Sequence, residues 1–456
     1  MKWTVPLALL ACNSWTANAI TLDVTSDDSI KSASSTVAYG LMSYYTGNNS
    51  GDVAGNLPSP YYWWEAGAMF MGMVDYWYYT GDSTYNDETV AALLHQAGPD
   101  YDFMPENQTK TEGNDDQGFW AMATMAAAES NFTNPSDGIP GWLAITQAVF
   151  NLMASRWDTT LCGGGLRWQI YSFNSGYNYK NSVANGCFFN IASRLALYTG
   201  NQTYADWAEK IYDWERDVSL ISDAYAVYDG ANGATGYNCT ETDKTRWSYN
   251  QGLFMFGSAV MYNYTNGSAL WEERTSGLVN ASSIFFSNNS IMYEQACEDT
   301  DTSAGTCNTD QQTFKAYLAR WMAATAKIAP FTTTKIMSWL TSSAEAAAAQ
   351  CSGGTDGTVC GEHWTAEDVY DGTYGVGQQM SALQIIAALL VTDAADLVTN
   401  STGGTSVGDS SAGTSSTTDV TDTTPTITTK DRVGAGILTA LACSGLIGSF
   451  AFMVTG

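Results

Sequence analysis

The sequence predicts an all-α fold, an (α/α)6 barrel or six-hairpin toroid. Three observations predict it. Six times, a polar cluster leads into a helix-like run of small and aromatic residues. The runs recur about every 50 to 70 residues, the length of two helices with their loops. Several runs stop alike, on Gly or Asn-Gly, and no long alternating run signals a strand.

The elements follow in chain order. Residues 1–19 form a signal peptide: Lys2, a short apolar core from Trp3 to Cys12, and the small-x-small site Ala17-Asn18-Ala19. Residues 20–395 contain no linker and form one large domain. Its six runs begin at Trp63, Asp115, Tyr179, Ser248, Asp310 and Gly377, with amphipathic helices such as TYADWAEKIYDWERDV between them. Gly81, Gly200 and Asn266-Gly267 close helices, because Gly adopts the left-handed conformation that ends them. If the six runs line the inside of a ring, their N-termini gather at one mouth. Residues 396–432 are Ser/Thr/Gly-rich and lack aromatic residues, which predicts a disordered stalk. Residues 433–456 form an apolar tail with no basic residue after it. That pattern predicts a glycosylphosphatidylinositol (GPI) signal, removed on maturation, at Asp422-Thr423-Thr424 or Gly413-Thr414-Ser415; spacer length favours the first.

A secreted chain makes other counts meaningful. Ten sequons, at Asn48, Asn107, Asn131, Asn201, Asn238, Asn263, Asn266, Asn280, Asn288 and Asn400, predict a glycosylated surface. Seven cysteines lie between signal and tail, and an oxidising compartment favours bridges. Cys297/Cys307 and Cys351/Cys360 are expected as pairs, with Cys162/Cys187 a third and Cys239 left over. The net charge of −28, from 46 acidic against 18 basic residues, excludes nucleic acid as a natural partner. It also makes a membrane contact other than a lipid anchor unfavourable.

The stretch EGNDDQGFW places Asp115 beside Asp116 with no nearby cation. Glycoside cleavage needs two carboxyl groups, one to protonate the leaving oxygen and one to attack the sugar or activate water. Neighbours at a helix start lie about 100° apart around the axis and can flank one bond. Crowding two like charges raises one pKa, so one group keeps a proton while the other ionises. The plainer alternative is a solvated helix cap. Other chemistries fit worse. His95 and His363 lack metal-ligand spacing, and neither a G-x-S-x-G elbow nor a phosphate loop occurs. Asp299 to Ala304 only faintly resembles a calcium loop, with Ala where Gly is needed. No metal or cofactor is implied.

Taken in order, YYWWEAGAMF, NDDQGFW, CGGGLRWQI, YNYKNSVANGCFFNIASRLA, SYNQGLF, NTDQQTFKAYLARW and GQQMSAL resemble the fungal GPI-anchored members of glycoside hydrolase family 76, the mannan endo-1,6-α-mannosidase type. The resemblance spans residues 20 to about 395 and implies the same (α/α)6 fold. It implies that Asp115 is the nucleophile and Asp116 the general acid/base of a retaining mechanism. It further implies that Trp63, Trp64 and Trp120 stack on sugars, that Trp168, after the Gly163–Gly165 run that allows close backbone approach, lines the substrate cleft, and that Lys180, Asn181, Tyr249, Asn250, Asp310 and Gln311 bond hydroxyl groups. The implied substrate is an α-1,6-linked mannose oligosaccharide or GPI glycan, with β-glucan as an acceptor. The implied setting is a monomer at the outer face of the plasma membrane and the cell wall. The competing readings are a non-catalytic mannan-binding wall protein on this fold and a polysaccharide lyase. The uncompensated pair counts against the first, and the scarcity of Arg and Lys for holding a uronate counts against the second.

Overall fold

The computed structural model describes residues 19–414, apart from 109, 299–304 and 367–369, together with residue 439. Residues 1–18 of the expected signal peptide, the calcium-like segment, residues 415–432 of the expected stalk with the favoured GPI site, and all of the apolar tail but residue 439 lie outside the described residues. Among the described residues, twelve α-helices alternate between an outer and an inner layer. The outer ones are α1 (Asp27–Met42), α3 (Asn86–Gln96), α5 (Trp142–Ser155), α7 (Gln202–Asp217), α9 (Ala269–Ala281) and α11 (Thr333–Ala349). The inner ones are α2 (Trp63–Thr80), α4 (Asn114–Glu129), α6 (Ser182–Thr199), α8 (Ser248–Tyr264), α10 (Phe314–Ile328) and α12 (Val376–Ala387). Each inner helix touches the next, and α12 packs against α2, which closes the ring. All six sequence runs are inner helices, as expected of an (α/α)6 barrel.

The two layers have different chemistry for a physical reason. On α7 the buried residues Tyr204, Ala205, Ala208, Ile211 and Tyr212 recur at helical spacing, so one stripe faces the ring. Inner helices are covered all round: on α4 every residue except Asp115 and Asp116 is buried. Small residues permit this crowding. A Cβ at Gly118 would lie 2.6 Å from Cys187 Cβ, so glycine there lets α4 and α6 approach. Gly81 and Gly200 close α2 and α6 with φ of 75° and 70°. Buried ion pairs Asp75–Arg320 (2.6 Å) and Glu129–Arg194 (2.6 Å) close the C-terminal end of the ring.

The N-terminal mouth stays open, and short strands shape its rim. β1 (Tyr179–Asn181), β2 (Gly230–Asn232) and β3 (Thr242–Asp243) form an antiparallel sheet, with Lys180 opposite Ala231. A hairpin of β4 (Cys351–Gly353) and β5 (Val359–Cys360) lies beside α1 and α12.

Two expectations need correction. Cys162 pairs with Cys239 across 77 residues, and Cys187 is free and buried in α6; the pairs Cys297–Cys307 and Cys351–Cys360 form as expected. The start of the expected stalk is also not loose. Residues 398–414 run back over the domain as a strap. Val398 N–H donates to Glu129 O (2.8 Å), Asn131 Nδ2 to Gly403 O (3.0 Å), and Leu143 N–H to Ser406 Oγ (2.9 Å). Higher up α5, Asp409 N–H donates to Gln147 Oε1 (2.7 Å) and Asn151 Nδ2 to Ala412 O (2.8 Å). Composition alone misleads here, because Gly and Ser suit close approach to a helix as well as disorder. Truncation after Val398 is expected to cost about 2–4 kcal/mol, at about 1 kcal/mol per net hydrogen bond. Scanning calorimetry would show it as a lower Tm; an unchanged Tm would mean the strap contributes nothing.

Candidate active site

The open mouth holds a cleft of ≈ 710 Å³ lined by the starts of α2, α4, α6, α8 and α10 and the segments that lead into them. Asp115 and Asp116 sit on its wall in the first turn of α4. The chain enters that turn through a bridge: Asn114 N–H donates to Trp168 O (2.8 Å), which fixes the Gly113–Asn114 backbone against the segment carrying Trp168. Asp116 Oδ2 accepts from Gly113 N–H (2.6 Å) and caps the helix, while Asp115 Oδ1 accepts from Asp116 N–H (3.1 Å). Each backbone bond engages one oxygen only, so the pair is held but not neutralised.

Its electrostatics follow from the surroundings. Burial raises the Asp115 pKa well above the usual carboxylate range, and the Asp116 charge adds to the rise. Local amides and the Trp168 indole oppose it without cancelling it. Burial raises Asp116 as well, against the Gly113 N–H and with help from Asp310. The two groups titrate together and share one proton near neutrality. Because the two carboxyls are coupled, that proton belongs to the pair rather than to either residue.

The rest of the wall is acidic and aromatic. Glu112, Asp229, Asp243 and Asp310 join the pair there, and among the described residues neither Lys nor Arg lines the cleft. Such a wall repels anionic sugars such as uronates and suits a neutral glycan. Tyr62, Trp63, Trp64, Trp168, Trp247 and Tyr249 supply ring faces. Neighbours fix their poses. Trp64 Nε1 donates to Asp310 Oδ1 (3.1 Å), and Trp63 Nε1 to Gln96 Oε1 (2.7 Å). Tyr249 stacks on Phe314 at 3.9 Å.

Of the residues singled out by sequence, Asp115, Asp116, Trp63, Trp64, Trp168, Asn181, Tyr249, Asp310 and Gln311 line the cleft. Three do not. Trp120 is fully buried behind it, between Trp63, Phe70 and Phe103, because its helix position faces α2. Lys180 is fully buried under the rim. Its Nζ donates to the carbonyls of Asp158 (2.9 Å), Leu161 (2.8 Å) and Gly164 (2.5 Å), so it holds the glycine loop rather than a ligand. Asn250 follows Tyr249 on α8, and the turn of the helix rotates it away from the cleft into the interior. Sequence reasoning missed Asp229 and Asp243, which arrive on the rim sheet and its flank, where no helix start marks them. Trp247 was detectable, since it directly precedes the Ser248 run.

Among the described residues, Glu298, Cys307 and Glu362 approach each other at metal-like spacing. Cys307 is bridged to Cys297, and Lys315 Nζ lies 2.6 Å from Glu298, so a protein cation already occupies that cluster.

A closed ring of six helical hairpins, with an uncompensated aspartate pair at its mouth among aromatic faces, defines a carbohydrate-active enzyme of the (α/α)6 class. Comparison with known proteins narrows this. The chain belongs to glycosyl hydrolase family 76, whose model matches residues 29–401. It is 52% identical to a Saccharomyces cerevisiae protein named mannan endo-1,6-alpha-mannosidase DCW1, over 93% of each chain. It resembles the crystal structure of Dfg5 from Chaetomium thermophilum in complex with glucosamine. That match has TM-score 0.81 and 44% identity over 86% of this chain and 97% of that one. An α-1,6-mannanase from Salegentibacter sp., solved as an inactive double-aspartate variant with α-1,6-mannotriose, shares the fold. It matches at TM-score 0.61 and 17% identity, over 79% of this chain and 99% of that one.

Proposed function

We propose that this protein is a retaining endo-α-1,6-mannosidase or transglycosidase that acts on α-mannan or the mannose core of GPI glycans during fungal cell-wall assembly. The observation that carries it is the aspartate pair, raised in pKa, sharing a proton and unpaired with any cation, on the wall of a neutral-glycan cleft. In the first step Asp115 attacks the anomeric carbon of mannose, and Asp116 gives its proton to the departing glycosidic oxygen. In the second, Asp116 takes a proton from an incoming hydroxyl, whose oxygen displaces Asp115 from the sugar. Water as acceptor gives hydrolysis; a glucan hydroxyl gives transfer. The division of roles rests on the family resemblance.

The proposed setting is a glycosylated, GPI-anchored monomer at the outer face of the plasma membrane and wall. The signal-like start, the sequons and the apolar tail support it. Among the described residues no helix is long and apolar enough to cross a membrane.

The direct test incubates the secreted domain with α-1,6-mannan oligomers and GPI-glycan fragments, with and without laminarin-type acceptors, and identifies products by mass. NMR of the first-formed product reports the anomer. An inverted product would exclude Asp115 as nucleophile, and hydrolysis alone would remove the transfer role. The cleft rim offers a second test. The Tyr62 ring is 53% exposed at the mouth, and its backbone N–H, not its ring, caps α2 through Glu65 (2.7 Å). Tyr62→Ala is expected to raise KM about tenfold, worth about 1.4 kcal/mol of stacking, with kcat unchanged. A fall in kcat alone would place the ring elsewhere in the reaction.

A further inference from the structure

No cation lines the cleft, yet one guanidinium stands directly behind its wall. Arg156 caps the C-terminus of α5. From there Nη1 donates to Asn114 Oδ1 (2.5 Å) and to Gln117 Oε1 (2.8 Å). Asn114 and Gln117 are the two residues that flank Asp115-Asp116 in the chain. Their remaining amide groups are also tied down: Asn114 Nδ2 donates to Arg167 O (2.9 Å) and Gln117 Nε2 to Asp102 O (2.7 Å). One nitrogen of Arg156 therefore grips the catalytic turn on both sides of the pair.

The same group faces two buried acids. Glu112 and Asp102, with the Tyr171 phenol, are the titratable groups that act on Arg156. Glu112 in turn faces Asp116, Arg156 and Asp102. Glu112 lines the cleft, is 2% exposed, and neither carboxylate oxygen has a hydrogen-bond partner. Nε of Arg156 is equally buried and unpartnered. The guanidinium is the positive charge that opposes the rise burial imposes on Glu112 and Asp102, the acids packed behind the pair.

We propose that Arg156 is a positioning residue, which fixes the Asn114–Gln117 turn and supplies a positive field behind a cleft whose charged groups are all acidic. It touches no substrate and acts through the pair. The inference rests on that pair being the catalytic one.

The test uses the full secreted chain in four variants, with kcat, KM and pH profiles on α-1,6-mannotriose. Arg156→Gln is expected to lower kcat about 100-fold, the cost of misplacing a reacting group by about 1 Å, with KM within about twofold. Its acidic limb should move to higher pH, because an aspartate facing uncompensated acids ionises later. Arg156→Lys should return that limb, since the charge remains, but restore kcat only in part, since an ammonium lacks the planar fork. Gln117→Met should lower kcat and leave the limb in place, because it removes one grip and no charge; it also serves if Arg156→Gln fails to fold. A readout independent of turnover is the ¹³C NMR titration of labelled Asp carboxyl groups, whose upper midpoint should rise in Arg156→Gln. An unmoved titration and pH limb, with activity tracking only the folded fraction, would reduce Arg156 to a fold-stabilising residue. Equal activity of wild type and Asp115→Asn would instead sink the catalytic reading of the pair, with the titration still judging Arg156.

Discussion

Asp115→Asn is expected to lower kcat on α-1,6-linked mannose oligomers by about 10⁴-fold, and Asp116→Asn by a comparable factor. Both variants should fold, since Asn keeps the shape and still accepts from the amides of the first α4 turn. The double variant should be scarcely worse than either single one, because groups acting on one bond do not contribute independently. Stability should move the other way. A carboxyl whose folded pKa is raised is disfavoured when ionised, so it costs stability above its unfolded pKa of about 4. The neutral Asn removes that cost, and Asp115→Asn should raise Tm at pH 7 while leaving it little changed near pH 3. In the wild type the raised, coupled pair should place the turnover maximum near neutrality, above the range of free carboxylates. Activity should fall as pH rises and the shared proton is lost. Full activity in both single variants would refute the assignment; a lower Tm at pH 7 would mean the charge is compensated by something in the folded chain.

The ring was legible because its signal is repeated six times and is local. Each inner helix needs small residues along its length and a polar cluster at its start, and both survive in the order of residues. The Asp115-Asp116 pair was legible for the same reason, as were Trp63, Trp64, Tyr249 and Asp310, each at or near an inner helix start. What sequence hid is the direction of side chains around a helix. Trp120 and Asn250 sit within a few positions of cleft residues, yet helical rotation points them into the interior. Lys180 was expected to hold sugar because it stands with Asn181 in the YNYKN motif; on a strand, neighbours face opposite sides, and Lys180 turned under the rim. Asp229 and Asp243 were hidden because their place depends on pairing between segments far apart in the chain. The strap was hidden because Gly, Ser and Thr carry no burial signal, while its partners Asn131, Gln147 and Asn151 lie more than 250 residues upstream.

Removing the Cys162–Cys239 bridge by a double Ser substitution is expected to cost about 4–5 kcal/mol, the chain-entropy value for a loop of 77 residues. The loss should not be uniform. The bridge joins the glycine loop, whose carbonyls hold Lys180 Nζ, to the connection that follows β2. Lys180 pairs with Ala231 across the sheet, and Asp229 and Asp243 lie at the cleft end of the same ribbon. Unclamping the loop therefore loosens one wall of the cleft before the helical ring is affected. Hydrogen exchange should rise first over residues 158–180 and 229–243, and KM should rise before the far-UV helix signal falls. Cys187→Ala is the contrasting variant. Its thiol packs against Gly118 within α6, where the near-sequence pairing with Cys162 had placed a bridge, and loss of the sulfur leaves only a small void. About 1 kcal/mol is expected there, with KM unchanged. Peptide mapping without reduction decides between the pairings: a fragment joining residues 162 and 187 would overturn the rim described here.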